Sequence, residues 1–312
     1  MKRSIMAACA ALVLGLSGCG ADSAGEQSVD KAEVAQKSVP GTELPSVKLD
    51  GVKTRLEFPD SNPPEGLQKD VLDAGIGRDI EETDFVIANY VGQVWGQDNP
   101  FDSSFARGKP TGFSLQQVIP GWTKGLTGLK PGAKVVLSIP SDMGYGPSGG
   151  NAQAGIGPED TIAFYVEIVD AYGARQAGDP NATVETDIAS LPVEISGNLG
   201  EPITVRVKEG TPNPTEISTT VIARGSGAPV GGEGSGFYVQ YALSPIDNSK
   251  SEVSYGQSGP TRFTVGAGSI FDGLKDVPVG SRVLIMAPAN EQPGSENQSP
   301  GFAVVVDILG ID

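Results

Sequence analysis

Two stretches of this chain repeat one another at a spacing of about 150 residues, which confines the fold to two copies of one β-rich unit. Val71-Leu72-Asp73-Ala74-Gly75-Ile76-Gly77 lines up with Val221-Ile222-Ala223-Arg224-Gly225-Ser226-Gly227, and Tyr90 with Tyr241. Pro110-Thr111-Gly112-Phe113 then meets Pro260-Thr261-Arg262-Phe263. Gly125-Leu126 through Gly132 meets Gly273-Leu274 through Gly280, and Val166-Glu167-Ile168 meets Val306-Asp307-Ile308. Chance produces any one such match among β-rich sequences, but their shared order indicates an internal duplication.

Within the first copy, strand-like segments rich in β-branched and aromatic residues fall at 52–58, 68–72, 85–95, 112–115, 133–139 and 161–169, separated by Gly, Pro and Asp turns. The one helical candidate is short, about Trp122 to Leu126, with Pro120 suited to its first turn. A mostly antiparallel sheet with one small helix is expected. The Gly/Asp/Pro/Asn-rich stretch 174–189 is expected to link the copies, leaving 47–173 and 190–312 as domains.

The N-terminus reads as a secretory signal peptide over 1–18: Lys2 and Arg3, then an apolar run from Ile5 to Leu16 that is too short to span a bilayer. Leu16-Ser17-Gly18-Cys19 resembles the lipobox of bacterial lipoproteins, which implies lipid on Cys19 and cleavage before it. From there to about residue 46 the chain is small, polar and charged, with no apolar periodicity, and is expected to be a disordered tether. About 27 residues of flexible coil reach roughly 30 Å. The expected location is extracytoplasmic, on a bacterial membrane.

Cleavage removes two positive charges and carries the formal net charge from −16 to −18. Nucleic acid and anionic lipid surfaces are poor partners for that balance. The chain has no histidine, which excludes Ser-His-Asp and Cys-His nucleophile pairs and histidine-based metal sites in their usual forms. One cysteine remains in the mature chain, so no intrachain disulfide forms and each domain depends on its hydrophobic core. No metal or cofactor is expected.

Four pieces follow one another in the first copy: Phe101-Asp102-Ser103-Ser104, Val118-Ile119-Pro120-Gly121-Trp122, Gly144-Tyr145-Gly146, and Phe164 in a closing strand. Alone each is an ordinary turn, loop or core signal. In this order they resemble the pocket of the FKBP-type peptidyl-prolyl cis-trans isomerases, over about Leu67 to Val169. The resemblance implies an α+β class, with two tandem FKBP-like domains, each a mostly antiparallel sheet wrapped on a short helix. It implies Trp122 as pocket floor and Tyr90, Phe101 and Phe164 as walls, with Phe113, Val118 and Ile156 completing an apolar lining. It also implies that the Tyr145 hydroxyl and the Ile119 backbone N–H donate to substrate carbonyls, while Asp102 faces the peptide or pairs with Arg107. Implied partners are proline-containing unfolded or exported proteins, with macrolides of the tacrolimus class as inhibitors.

Three features depart from the family pattern: Thr111 stands where many members place an aromatic residue, Gln117 replaces a common acidic one, and the Gly146–Gly155 loop is longer. In the second copy the pocket residues are largely replaced. Ile270 is nearest to the Trp122 position, Glu252 stands for Asp102, Val304 for Phe164, and the stretch 290–301 offers no tyrosine. That copy is expected to keep the fold without catalysis. Gly75-Ile76-Gly77 lacks the third glycine of a dinucleotide fingerprint and reads as a turn. Asn181-Ala182-Thr183 and Asn297-Gln298-Ser299 match the N-glycosylation pattern and take no role in a bacterial lipoprotein. A tethered isomerase, a non-catalytic peptide binder of the same fold and an accessory envelope lipoprotein all remain open on sequence, because fold does not fix function.

Overall fold

The computed structural model describes residues 43–266, 268–289 and 300–312. The expected signal peptide, Cys19 and the expected tether as far as residue 42 lie outside the described residues, as do residue 267 and the stretch 290–299. The described chain is mostly sheet with few helical turns. Its first part contains β1 (Ser46–Lys48), β2 (Arg55–Glu57), β3 (Gln68–Asp73), β4 (Phe85–Val94), β5 (Asp102–Ser103), α1 (Ser104–Arg107), β6 (Thr111–Ser114), α2 (Pro120–Leu126), β7 (Lys134–Ile139) and β8 (Ile162–Tyr172).

All pairings of the first sheet are antiparallel, in the order β3-β7-β8-β4-β5 with β6 on β4. Strands β4 and β8 are nearly continuous apolar runs because both of their faces are covered. On one face Val86, Ala88, Tyr90, Phe164, Val166 and Ile168 pack towards α2, and on the other Val91, Ala163 and Tyr165 pack under the β1–β2 hairpin with Leu56 and Val47. The hairpin is held by Gln93, whose Oε1 accepts from Leu56 N at 2.6 Å while its Nε2 donates to Leu56 O at 3.3 Å. Helix α2 begins at Pro120, whose missing N–H costs nothing there. It lies close on β7, since a Cβ at Gly121 or Gly125 would meet Ile139 or Leu137.

Several boundaries differ from expectation for local reasons. Residues 51–53 form a 3-10 turn, which Thr54 Oγ1 closes onto Gly51 O at 2.8 Å, so the strand there is confined to Arg55–Glu57. A second helix, α1, forms because Ser103 accepts from Ala106 N at 3.2 Å as its N-cap. Ahead of β1, Leu44 already packs beneath the hairpin, within the stretch to residue 46 expected to be disordered.

The second part contains β9 (Thr183–Val184), β10 (Val193–Ser196), β11 (Thr204–Val207), β12 (Ser218–Arg224), β13 (Gly236–Pro245), β14 (Glu252–Val253), β15 (Thr261–Thr264), β16 (Arg282–Ala287) and β17 (Phe302–Ile311). Its sheet runs β14-β13-β17-β16-β12-β9 with β15 on β13, the same path as the first sheet plus one added edge strand. The register repeats as well: Tyr90 faces Val166 and Tyr241 faces Val306, while Gly92 faces Phe164 and Leu243 faces Val304. Ser104 Oγ accepts from Tyr90 N at 2.7 Å, and Ser254 Oγ accepts from Tyr241 N at 2.7 Å. Where the first part has α2, the second has a 3-10 turn at Asp272–Leu274.

The stretch 174–189 is docked rather than free. Ala174 O accepts from Gly256 N at 2.7 Å and Gln240 Nε2 at 2.8 Å, Ala177 and Ala182 are buried, and β9 pairs with β12. Its Gly, Asp and Pro residues mark turns, and the second sheet satisfies the backbone groups between them.

Candidate functional site

Nine of the residues expected to form the pocket converge on one cavity of about 540 Å³, Tyr90, Phe101, Asp102, Phe113, Val118, Ile119, Trp122, Tyr145 and Phe164, and Gln117 joins them. Their positions follow from the elements. Tyr90 and Phe164 project from β4 and β8 to one face, Phe113 comes from β6, and α2 presents Trp122 from its first turn. Trp122 is 4% exposed and stands nearly perpendicular to two neighbours, with ring centroids 5.5 Å from Tyr90 and 5.3 Å from Phe164. Phe113 lies 5.0 Å from Trp122, and Phe101 meets Phe164 edge-on at 5.6 Å. Such edge-to-face pairs each add roughly 0.5–1.5 kcal/mol beyond burial, so the box is pre-formed.

The polar side of the cavity is one linked group. Asp102 accepts from the Tyr90 hydroxyl on one carboxylate oxygen and from Arg107 Nη1 on the other. Arg107 Nη2 donates to the Tyr90 hydroxyl at 2.7 Å. Burial works against the Asp102 carboxylate, but hydrogen bonds from Tyr90 and Arg107 outweigh it and hold its pKa below the usual value. Burial, followed by the hydrogen bond to Asp102, pushes the Tyr90 phenol up to about 12. Arg107 thus pairs with Asp102 and lies outside the lining of this cavity.

Two donors of the lining residues are uncommitted among the described residues. Burial and the Asp102 charge raise the pKa of Tyr145, and its hydroxyl has no hydrogen-bond partner among the described residues. The Ile119 N–H, at the N-cap of α2, likewise has none, although Ile119 O accepts from Trp122 N at 2.9 Å.

Ile156 is not on the wall. It is 3% exposed within the core, and its backbone pairs with Asn151, at 3.0 Å for its N–H and 2.8 Å for its carbonyl. That bridge fixes a 3-10 turn, Ala152–Ala154, which brings Gln153 and Ala154 to the cavity together with Asn151. Sequence reasoning missed these three. The signal was Asn151, whose side chain caps the turn by accepting from Ala154 N at 3.3 Å, in what reads simply as a long loop. In the second part the corresponding face is filled by rings, with Phe263 and Phe271 at 4.2 Å and Phe237 and Phe271 at 5.8 Å.

An aromatic box bordered by a linked Tyr–Asp–Arg group thus stands on one face of an antiparallel sheet. Residues 77–169 match the family model described as FKBP-type peptidyl-prolyl cis-trans isomerase. The chain is 41% identical over 112 residues to FKBP-type peptidyl-prolyl cis-trans isomerase FkpA of Escherichia coli (strain K12), covering 36% of this chain and 40% of that protein. It is 40% identical over 104 residues to peptidyl-prolyl cis-trans isomerase Mip of Coxiella burnetii, covering 33% of this chain and 44% of the relative. A crystal structure of a peptidyl-prolyl cis-trans isomerase from Pseudomonas syringae pv. tomato is similar at 33% identity and a TM-score of 0.31, covering 34% of this chain and 76% of that one. The chain thus spans under half the length of the FkpA and Mip relatives.

Proposed function

We propose that the chain is a peptidyl-prolyl cis-trans isomerase acting on exported proteins, with residues 47–173 as its catalytic unit. The observation that carries this reading is the aromatic box around Trp122 with two uncommitted donors, Tyr145 and the Ile119 N–H, among its lining residues. Rotation about a peptide bond breaks amide resonance over a barrier of ~18–20 kcal/mol. The twisted amide has lost its resonance dipole, so an apolar aromatic wall favours it over the solvated planar form. Binding the twisted form more tightly by only ~4 kcal/mol accelerates isomerisation about 10³-fold. Tyr145 and Ile119 hold the flanking carbonyls, and Asp102, fixed by Tyr90 and Arg107, shapes the rim. Tacrolimus-class macrolides are proposed to compete for the same box.

In the same reading, Cys19 carries a lipid that tethers the chain to an extracytoplasmic membrane, and residues 190–312 are a degenerate FKBP-like domain without isomerase activity. The repeated strand path and the ring-filled face support the second point.

The experiment is a protease-free isomerisation assay on the full chain with an Ala-Leu-Pro-Phe-type peptide. Tyr145→Phe is expected to lower the rate with an unchanged melting curve. Wild-type turnover no faster than the uncatalysed rate removes the enzyme reading and leaves a peptide binder. For the anchor, Cys19→Ala is expected to abolish acyl labelling and release the protein from membranes; retained labelling refutes the lipid site.

A further inference from the structure

Phe101 and Asp102 each line two spaces. Beyond the aromatic cavity they form one wall of a second groove of about 560 Å³, which is also lined by Val52, Lys53 and Arg55. Those three residues belong to the turn and strand of the N-terminal hairpin, outside residues 77–169 that match the family. The 51–53 turn packs on α1, so the hairpin brings this wall to the rim of the site. Val52 is 61% exposed there and offers an apolar landing.

The charges lining the groove are Lys53, Arg55 and Arg107 against Asp98 and Asp102. Asp102 is already engaged by Tyr90 and Arg107. Arg55 meets Glu57 at 3.2 Å on the surface, and Lys53 has no carboxylate partner among the described residues. The lining holds three cations to two acids, within a chain of formal net charge −16; with Arg107 paired to Asp102 and Arg55 to Glu57, Lys53 is its unpaired cation and Asp98 its unpaired acid among the described residues.

We propose that this groove is a second subsite, which takes the residues flanking the proline of an extended substrate and favours flanks that carry carboxylates. The proposal rests on the isomerase reading of the adjoining cavity. A peptide with its proline over Trp122 leaves the cavity past the shared Phe101–Asp102 rim. Extending by ~3.3 Å per residue, the flank then runs into the groove that shares this rim. The acidic surface elsewhere repels such a flank, and Lys53 and Arg55 offset that repulsion at the point of entry. Exposed charge pairs are individually weak and are screened over about 10 Å at 0.1 M salt, so the preference is modest and salt-dependent.

The test compares kcat/KM of the full chain on Ala-Leu-Pro-Phe cores flanked by glutamates, glutamines or lysines. At low salt the glutamate flank is expected to exceed the glutamine flank by about two- to fivefold, with the lysine flank lowest and the differences lost at high salt. Combined Lys53→Gln and Arg55→Gln is expected to remove the preference while leaving turnover of the unflanked core unchanged. Equal rates for the three flanks, or a preference that survives this variant, overturns the subsite. If none of the peptides is turned over, the isomerase reading fails. The subsite is then decided by fluorescence anisotropy with labelled peptides. Tighter binding of the glutamate-flanked peptide that the variant abolishes supports it, and equal binding overturns it.

Discussion

At the scale of single residues, the site is a set of groups whose worth depends on their partners. Asp102 shows this most directly. Its carboxylate is held below the usual pKa because hydrogen bonds from Tyr90 and Arg107 outweigh the burial that opposes its charge. A depressed folded pKa contributes stability above the unfolded pKa of ~3.9, and that contribution disappears as pH falls through the folded value. Wild type is therefore expected to melt higher than Asp102→Asn at neutral pH, and the two curves are expected to converge below about pH 4. Tyr90 has the opposite sign. With its phenol pushed up to about 12, its contribution is complete below about pH 10 and is lost as pH rises through the folded value. Thermal melts across pH check both limbs, and a wild-type advantage that persists unchanged at pH 2 contradicts the first. The identities of Tyr90, Asp102 and Arg107 were legible in the sequence. Their closed triangle was not, because Arg107 reaches Asp102 only after α1 turns the chain at Ser104.

At the scale of elements, the cavity exists because β4 leaves room for its own walls. A Cβ on Gly92 would lie 2.5 Å from the Phe164 ring and 2.7 Å from that of Phe101. Gly92→Ala must displace one of these walls, and overpacking of this kind costs ~1–3 kcal/mol. The variant is expected to lose that much in denaturant titration and to lower kcat/KM, while Gly232→Ala, which meets nothing within 4 Å, changes neither. An unaltered kcat/KM for Gly92→Ala argues that the Phe101–Phe164 wall plays no part in binding. Strands β4, β7 and β8 could be read from their apolar runs. Helix α1 and the capped turn at Ala152–Ala154 could not, since each depends on a single side-chain cap closing a few residues.

At the scale of the whole molecule, two copies of one strand path have diverged in what they bury. Lys134 and Glu167, paired across β7 and β8, lie 3.9 Å apart near the surface. At the same register in the second copy, Arg282 and Asp307 are nearly inaccessible and form two hydrogen bonds, at 2.7 and 2.9 Å. Tyr255 also donates to Asp307 at 2.7 Å, and Arg282 donates to Asn198 O and Glu201 O, each at 2.9 Å, tying the β10–β11 hairpin to the sheet. Removing the acid leaves a buried cation without its counter-ion, so Asp307→Asn is expected to cost ~3–5 kcal/mol, whereas Glu167→Gln is expected to cost under about 1 kcal/mol. Denaturant titration of the two variants measures the difference, and equal losses contradict the reading. The sequence by itself determined the duplication, the strand composition and most of the cavity lining, because alternating apolar residues and turn glycines act locally and leave a local pattern. The tertiary structure decided which charged pairs are buried, that residues 174–189 are docked, and that the N-terminal hairpin lines a groove beside the site. Those outcomes depend on groups far apart in the chain sharing one desolvated space, and no spacing in a sequence records that.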